Sequence, residues 1–286
     1  MRTNAADPLT GPDRRLANAV AAQLDGCAPL GVAFSGGVDS SVLLALAARA
    51  LGTERVLGVL GVSPSLAGDE RTAAHQVAAH IGVRVIEVQT HEGERPEYVS
   101  NGPDRCFHCR DELFTRISEE VVTRHGLAAV AYGENADDKR RSDRPGARAA
   151  TAHRVLRPLA DAGIDKAAVR RIAGALALPC ADKPAAPCLA SRVPHFDHVL
   201  PKKLRQIEAA ETALRALGFR DLRVRHHGEI ARLELPPDDL ARAASAPLRD
   251  QVRLAVLAAG FRFVALDLAG LQSGAFTLPL VEVRSG

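Results

Sequence analysis

A short run of glycines and serines beside an aspartate is the part of this chain best suited to chemistry. It stands between an apolar run at residues 30–34, typical of a buried strand, and a helical pattern at residues 42–51, and it reads Ser35-Gly36-Gly37-Val38-Asp39-Ser40-Ser41. Two glycines let the backbone approach an anion closely, and the amides at a helix N-terminus favour negative charge. The serine hydroxyls add donors, and the Asp39 carboxylate is a suitable ligand for the magnesium of a nucleotide. The sequence therefore predicts a phosphate-binding loop at residues 35–41, called the phosphate loop below.

This loop differs from the two common glycine motifs of nucleotide-binding proteins. No lysine closes it as in G-x-x-x-x-G-K-[ST], and its spacing is not G-x-G-x-x-G. It resembles the S-G-G-x-D-S loop of the ATP pyrophosphatases, or PP-loop enzymes. That resemblance implies that ATP is cleaved between its α and β phosphates, with Mg²⁺ as cofactor, AMP transferred to a substrate oxygen and pyrophosphate released.

Cysteines form the second candidate site. Cys106 and Cys109 make a C-x-x-C, and Cys188 precedes Leu189-Ala190-Ser191-Arg192. Three thiolates suit a four-iron iron–sulfur cluster with one iron left open to an exogenous ligand such as sulfide. A thioredoxin-type redox pair is less favoured, because the C-x-x-C does not follow the strand that such a fold requires.

A structural zinc site is the alternative for the same thiols. It needs a fourth ligand, which His108 or Cys180 could supply. Otherwise Cys27 and Cys180 are interpreted as structural, because buried reduced cysteine is common. An odd number of cysteines, five, argues against a disulfide framework.

Short apolar strands alternate with helices over the first two thirds of the chain. This pattern predicts an α/β fold with a doubly wound parallel sheet, with strands at residues 30–34, 56–62, 83–88 and 127–132. Ligands of such sheets bind beyond the carboxyl ends of the strands, where the loops at residues 35–41, 61–66 and 133–138 would lie. We therefore expect the three loops to converge on one crevice, in which Ser63, Asn135 and Asp137 are further candidates to contact the nucleotide or its magnesium.

A smaller α+β domain is predicted after Pro194. The pattern there gives a helix at residues 202–217, strands at 222–225, 230–235 and 262–266, and helical stretches within 238–259. We expect a flexible tail at residues 1–15, an ATP pyrophosphatase domain at 16–197 and a small substrate-binding or oligomerisation domain at 198–286.

Two arginines of the predicted second domain could form a phosphate clamp. Arg223 and Arg225 alternate with Val224 on a strand, so their side chains share one face. A solvated strand face is the alternative. His226 and His227 could be acid or base groups, although adenylation does not require one.

Composition excludes several classes of protein. With 286 residues, 47% hydrophobic and 25% charged, the chain can bury a substantial core. Net charge is only +3, and aromatic residues make up 3% with no Trp, so a stacking surface for single-stranded nucleic acid is poorly supplied. No stretch reaches the roughly 18 apolar residues of a membrane span, and the N-terminus lacks the apolar core of a signal peptide. We expect a cytoplasmic protein without a membrane or a stable nucleic-acid partner.

Several linked motifs, in order along the chain, carry a more specific resemblance. They extend from about residue 30 to the Leu266-Asp267-Leu268 ending. Beside the phosphate loop they are Pro103-Asp104-Arg105-Cys106, Gly133-Glu134-Asn135-Ala136-Asp137-Asp138, Arg144-Pro145-Gly146, Asp182-Lys183-Pro184, Cys188-Leu189-Ala190-Ser191-Arg192 and Arg223-Val224-Arg225-His226-His227-Gly228. Together they resemble the LarE family, the ATP-dependent sulfur transferases that build the nickel-pincer nucleotide cofactor of lactate racemase.

The resemblance implies a substrate and a reaction. Pyridinium-3,5-biscarboxylic acid mononucleotide would be adenylated on a carboxylate and converted to a thiocarboxylate, twice in all. It also implies a homo-oligomer, with sulfide or another sulfur donor as partner. Residues expected to bind the substrate are Ser191, Arg192, Glu211, Arg223 and Arg225, although Glu211 could instead make a surface pair.

The family supplies sulfur in two ways. In one type the cysteine equivalent to Cys188 gives up its own sulfur and becomes dehydroalanine. In the other, that cysteine and the C-x-x-C hold a four-iron cluster that delivers sulfide. Because this chain has all three cysteines, it resembles the cluster type, and Cys106, Cys109 and Cys188 are then expected to be iron ligands and, with Asp39, catalytic.

Two features depart from the family pattern, and two other functions stay open. Cys180 stands where no family cysteine is expected, and residues 139–143 are more basic than expected. A PP-loop transfer RNA thiolase would need a basic RNA-binding surface and a salt-dependent affinity. A non-catalytic nucleotide- or metal-binding module is the second alternative, against which the intact phosphate loop argues.

Overall fold

The computed structural model describes residues 7–140, 145–184 and 186–271. The chain forms two compact units that interleave along the sequence. The first unit comprises Met1–Ser63, Gly68–His91 and Cys106–Ala186, and the second comprises Pro64–Ala67, Glu92–Arg105 and Pro187–Gly286. The predicted domain limits, single cuts at residues 15 and 197, stay predictions. Residues 1–6 of the predicted tail, residues 141–143 of the basic segment, Arg144 of one family motif and residues 272–286 lie outside the described residues.

A four-stranded parallel sheet lies at the centre of the first unit. Its spatial order is β3-β2-β1-β4, from the strands β1 Leu30–Ala33, β2 Val56–Val62, β3 Val85–Gln89 and β4 Ala129–Tyr132. This confirms the predicted α/β class with a parallel sheet. Its helices are α1 Gly11–Gln23, α2 Val38–Leu51, α3 Gly68–Ile81, α5 Arg105–Arg116, α6 Thr123–His125, α7 Ala136–Arg140, α8 Pro145–Ala152, α9 Pro158–Asp161 and α10 Lys166–Ala175, with α4 Pro96–Val99 belonging to the second unit.

The first helix overlaps the predicted tail. Residues 11–15 of the predicted tail lie in α1, which has Pro12 in its first turn, where the missing proline N–H is not needed. Leu9, just before it, is buried. The flexibility predicted for residues 1–15 stays a prediction.

Apolar side chains from β2, β3 and the α5 region form a core in the first unit. A π-helical segment, Ile117–Val122, continues α5 and places Ile117 and Val121 in that core beside Phe114 and Leu57. Burial of both faces of the sheet explains why β1 and β2 are nearly continuous apolar runs. This packing fixes the strands whose ends carry the phosphate loop and its neighbours.

The order of the sheet reverses between β1 and β4. From β1 the chain runs outward through β2 to β3, then returns to place β4 on the other side of β1. Loops that leave the carboxyl ends of two such strands form a crevice, the usual ligand site of an open α/β sheet. Here those two loops are the phosphate loop and residues 133–138.

A small mixed sheet and two main helices make up most of the second unit. Its elements are α11 Pro201–Ala216, β5 Arg223–His227, β6 Ile230–Glu234, α12 Pro237–Ala244, α13 Leu248–Ala258 and β7 Phe263–Leu266. β6 pairs antiparallel with β5 and parallel with β7. The core includes Leu214, Phe219, Val224, Leu233 and Val256. Within the described ranges, no helix has both the length and the apolar character needed to cross a bilayer.

Candidate active site

The phosphate loop turns sharply between β1 and α2. Gly36 has φ of +72°, and a Cβ at this position would lie 2.7 Å from the Cα of Ala74, so only glycine fits. Gly37 is the N-cap of α2. The loop therefore lies at the positive end of a 14-residue helix, where an anion is favoured.

Serine hydroxyls tie the loop to itself. Ser40 Oγ donates to the carbonyl of Gly37 at 3.0 Å and accepts from the backbone N–H of Ser35 at 3.3 Å. The hydroxyls of Ser35 and Ser40 lie 3.2 Å apart. Ser41 Oγ is buried and has no hydrogen-bond partner in the described structure. The structure thus brings Ser35 and Ser40 into contact, while Ser41 makes no hydrogen bond to either, and contacts of the three serines with a nucleotide stay a prediction.

Asp39 lies where the loops after β1 and β4 meet. Asn135 Nδ2 donates to its Oδ1 at 2.9 Å, and Lys166 Nζ donates to its Oδ2 at 2.5 Å. A Cβ on Gly133 would lie 2.7 Å from the amide nitrogen of Ser40, so the glycine permits this close approach. Two of the three predicted loops therefore converge, and a lysine from α10 joins them.

The backbone of Lys166 is itself held in place. Its N–H donates to Asp137 Oδ2 at 2.8 Å, and Asp165 caps α10 by accepting from Ala168 N at 2.8 Å. The Lys166 N–H and the Arg140 guanidinium hold the pKa of Asp137 below its usual value. Both carboxylate oxygens of Asp137 are therefore engaged within the protein, which favours a structural role for this residue over the predicted nucleotide contact.

Other residues near this crevice have local roles. Asn135 Oδ1 accepts from the backbone N–H of Asp138 at 2.9 Å, so this side chain caps α7 as well as contacting Asp39. Ser63 directly follows β2 at the carboxyl edge of the sheet and is half-buried. Its predicted contact with the nucleotide stays a prediction.

The three cysteines of the predicted cluster are thiols outside any disulfide. Cys106 and Cys109 lie three residues apart on α5, so they share one face of that helix, and Cys106 is exposed. Cys188, in the second unit, is exposed and precedes a short 3₁₀ turn. Among the residues that the structure describes, no three Cys, His, Asp or Glu side chains form a metal-binding group. The iron–sulfur cluster therefore stays a prediction.

The two remaining cysteines differ in exposure. Cys180 is buried at 2% exposure, whereas Cys27 is half-buried. The structural role predicted for both stays untested.

Charged residues are buried together in the second unit. We call this the arginine cluster, and it consists of Arg192, Arg223, Arg225, Glu211 and Glu234, each with at most 8% exposure. Arg225 and Glu234 form a bidentate pair, with Nε–Oε1 and Nη2–Oε2 distances of 2.8 and 2.7 Å. The alternative of a solvated strand face is therefore excluded, because the Arg223 and Arg225 side chains are buried.

Glu211 links α11 to the edge of the sheet. Its Oε1 accepts from Arg192 Nε at 2.9 Å and from the backbone N–H of Val224 at 3.1 Å, while Arg192 and Arg215 donate to its Oε2. The carboxylate is almost fully buried, so it is not the surface pair weighed above. This geometry favours Glu211 as the residue that positions Arg192, rather than as a direct substrate ligand.

Positive charge exceeds negative charge in the arginine cluster, which holds three guanidiniums and two carboxylates. Burial and the neighbouring charges of Arg225 and Arg192 lower the pKa of Arg223 below its usual value. An anion bound here would oppose that repulsion. His226, on the other face of β5, is buried at 3% exposure, which lowers its pKa.

Comparison with known proteins identifies the family. The asparagine synthase family matches residues 12–137, which contain the phosphate loop and Asn135. The pyridinium-3,5-bisthiocarboxylic acid mononucleotide synthase of Lactiplantibacillus plantarum is 32% identical over 259 residues, covering 88% of this chain and 90% of that protein. The chain belongs to the LarE family.

Two uncharacterised proteins are also similar to this LarE-family chain. One, from Synechocystis, is 38% identical over 243 residues, covering 85% of this chain and 90% of that protein. The other, from Methanocaldococcus jannaschii, is 27% identical over 213 residues, covering 74% of this chain and 79% of that protein. Because the chain studied belongs to the LarE family and to the PP-loop enzymes, it is an ATP-dependent enzyme.

Sequence reasoning missed two residues of this LarE-family site. Lys166 lies 127 residues from Asp39, so no local motif joins them. Glu234 could have been found by pairing the predicted strands at 222–225 and 230–235 as a hairpin. Arg223 lies directly opposite Glu234 in that register, which places Arg225 two positions away on the same face.

Proposed function

We propose that this LarE-family enzyme is an ATP-dependent sulfur transferase acting on pyridinium-3,5-biscarboxylic acid mononucleotide. It adenylates a carboxylate and converts it to a thiocarboxylate, in the synthesis of a nickel-pincer nucleotide cofactor. The 32% identity to a named bisthiocarboxylic acid mononucleotide synthase supports the reaction. The observation that carries the substrate class is the excess of buried guanidinium groups in the arginine cluster, which suits a nucleotide phosphate.

The first step is adenylation at the phosphate loop. A carboxylate oxygen of the substrate attacks the α-phosphorus of ATP, and the bond to the β-phosphate oxygen breaks, so that pyrophosphate leaves with the electron pair. The loop amides and the ammonium of Lys166 are placed to stabilise charge on the leaving group. Lys166 thus supplies the cation that the loop itself lacks.

Asp39 fits the role of a magnesium ligand. Mg²⁺ commonly takes one or two carboxylates together with substrate phosphates and water. The Asp39 carboxylate stands at the loop and already binds one cation, the Lys166 ammonium at 2.5 Å. When bound, Mg²⁺ would neutralise charge on the phosphates, and the Lys166 ammonium would add a second positive charge at the same loop.

The substrate is held by the second unit. Arg223 and Arg225 bind its phosphate, while Ser191 and Arg192 contact its pyridinium carboxylates. Arg225 is fixed by Glu234 and Arg192 by Glu211. Paired arginines lose little side-chain freedom when the anion binds, so the site is preorganised.

Sulfur transfer is the second step. Cys106, Cys109 and Cys188 would hold the four-iron cluster. None of the three is in a disulfide, and Cys106 and Cys109 share one face of α5. When bound, the cluster would supply sulfide as the nucleophile, with free sulfide or another donor replenishing it. A C–S bond forms at the acyl carbon of the adenylate as the C–O bond to AMP breaks, and AMP leaves as an anion. A cytoplasmic location and a homo-oligomeric state stay predictions.

Pyrophosphate release tests the adenylation step. We expect ATP and Mg²⁺ to give release that depends on the pyridinium mononucleotide and is abolished in Asp39→Ala. Release in Asp39→Ala at the wild-type rate would contradict the assignment of the phosphate loop. Stimulation by transfer RNA instead of the mononucleotide would favour the thiolase alternative, and tight ATP binding with no turnover would favour the non-catalytic module.

Iron content tests the role of the cysteines. We expect protein purified without oxygen to contain about four irons and matching acid-labile sulfide per chain. Cys106→Ala and Cys188→Ala should lose them, whereas Cys27→Ala should keep them. Iron-free protein that also resists reconstitution would contradict the cluster and would favour Cys188 as a sacrificed sulfur donor, or a zinc site if zinc is found.

A further inference from the structure

Three buried arginines donate hydrogen bonds to the backbone carbonyls around Cys188. We call residues 187–191 the Cys188 turn. All of these contacts lie within the second unit. Arg192 Nη1 contacts Pro187 O at 2.5 Å and Cys188 O at 3.3 Å, Arg105 Nη1 contacts Ala190 O at 3.0 Å, and Arg225 Nη1 contacts Ser191 O at 2.8 Å.

Two of these arginines already have roles in the proposed function, but Arg105 has none. Arg192 and Arg225 belong to the arginine cluster. Arg105 comes from the segment Glu92–Arg105, far from the Cys188 turn in sequence, and is buried at 8% exposure. Its contact with Ala190 O spans 85 residues.

Asn101 holds Arg105 in place. Its Oδ1 accepts from Arg105 Nη1, and its side chain is fully buried. The Asn101 Nδ2 donates to the carbonyls of Val193, Pro194 and Asp197 at 3.2, 2.6 and 3.1 Å. One asparagine therefore binds the chain after the Cys188 turn and orients the arginine that binds the turn itself.

A further contact comes from the segment Pro64–Ala67. The backbone N–H of Leu189 donates to Ser65 O at 3.0 Å, and Ser65 Oγ lies 2.6 Å from the hydroxyl of Tyr98 in a buried hydrogen bond. The Cys188 turn is therefore held through one N–H group as well as through its carbonyls. This matters because Cys188 is exposed, so the backbone of the turn sets where the thiol lies.

We propose that Arg105, oriented by Asn101, is a positioning residue for Cys188 in sulfur transfer. This inference rests on the proposed function, in which Cys188 takes part in the second step. Hydrogen bonds from a charged donor are stronger than neutral ones. A misplacement of about 1 Å in a reacting group can lower a rate about 100-fold. Loss of Arg105 should therefore affect sulfur transfer and leave adenylation intact.

The test compares Arg105→Gln and Arg105→Lys with wild type and with Arg253→Gln, a variant of an exposed arginine on α13. Two quantities are measured: pyrophosphate released on addition of the mononucleotide, and thiocarboxylate formed per pyrophosphate. We expect Arg105→Gln to keep pyrophosphate release within about 2-fold and to lower the thiocarboxylate ratio about 10- to 100-fold. Arg105→Lys, which keeps a charged donor, should recover part of the ratio, and Arg253→Gln should match wild type.

Hydrogen exchange of the metal-free protein provides a second readout. We expect the amides of residues 189–193 to exchange at least about 10-fold faster in Arg105→Gln, with the amides of β5 and β6 unchanged. If Arg105→Gln fails to fold, the lysine variant decides by the same two readouts. A thiocarboxylate ratio equal to that of wild type, or falling only in proportion to pyrophosphate release, would overturn the proposal. A wild-type protein that releases pyrophosphate but forms no thiocarboxylate would instead show that the proposed function has failed.

Discussion

Each unit has an ion pair at its candidate site, and the two pairs differ in exposure. In the first unit the Asp39 and Lys166 side chains are 24% and 39% exposed, whereas in the second the Arg225 and Glu234 side chains are 4% and 0% exposed. A single, partly exposed ion pair contributes about 1 kcal/mol or less to the free energy of unfolding, so a ligand can replace it. A buried bidentate pair costs about 3–5 kcal/mol when one partner is removed, because the other charge stays buried. The phosphate loop therefore suits a nucleotide and a metal ion that come and go, while the arginine cluster suits a fixed site.

The largest effect is expected from breaking the buried pair. Glu234→Ala leaves Arg225 without its bidentate partner, so the free energy of unfolding should fall by about 3–5 kcal/mol. Chemical denaturation measures this. Glu229→Ala is the matched control, because its side chain is 65% exposed in a 3.5 Å pair with Arg262, and it should change stability by less than about 0.5 kcal/mol. Equal effects of the two substitutions would remove the contrast between the units.

The pair of Lys166 and Asp39 should affect the rate of pyrophosphate release and have little effect on the stability of the protein. Lys166→Met removes the cation beside the phosphate loop, so we expect pyrophosphate release to fall about 100-fold while the free energy of unfolding changes by less than about 1 kcal/mol. Lys166→Arg should recover part of the rate. Lys139→Met serves as control, since Lys139 pairs with Asp161 on the surface. A Lys166→Met protein with normal release would show that the lysine only balances the charge of Asp39.

The smallest effect is expected at a surface pair of the first unit. The Arg71 and His75 side chains lower the pKa of Glu87 from its ordinary value near 4.5 to about 2. A lowered carboxylate pKa in the folded state stabilises above the ordinary value, and that stability is lost as pH falls from about 4.5 toward 2. Because the groups are partly exposed, the contribution should be below about 1 kcal/mol.

Thermal unfolding of wild type and Glu87→Gln between pH 7 and pH 2.5 measures this contribution. The difference between the two should be largest above about pH 5 and should shrink steadily as the pH falls from about 4.5 to 2.5. A difference that grows as the pH falls would contradict the pairing.

The sequence predicts the sheet of the first unit well and its contacts poorly. Apolar runs place all four strands within two residues of their observed limits, because burial of the sheet leaves a nearly continuous apolar pattern. The pairing of Lys166 with Asp39 has no such pattern, since it depends on where α10 packs. The contact of Arg105 with the Cys188 turn and those of Asn101 with the residues after it also follow no sequence pattern, because they join segments 85 and 92 residues apart.

In the second unit, the sequence pattern did not predict the burial of the arginine side chains on β5. Alternation placed Arg223 and Arg225 on one face of a strand and predicted a phosphate clamp, but it left a solvated face open as the alternative. The pairing of Arg225 with Glu234 compensates for the burial of that charge, and Arg192 is paired with Glu211 in the same way. Burial of charged side chains of this kind can be predicted once the strands are paired, but it cannot be predicted from a single segment.

Direct detection of the product tests the central claim. Protein purified without oxygen is incubated with ATP, Mg²⁺, sulfide and pyridinium-3,5-biscarboxylic acid mononucleotide, and the mononucleotide is analysed by mass spectrometry. We predict a product in which carboxylate oxygen is replaced by sulfur, formed together with AMP and pyrophosphate and absent in Asp39→Ala. An unchanged mononucleotide, in the presence of intact protein that binds ATP, would contradict the proposed function.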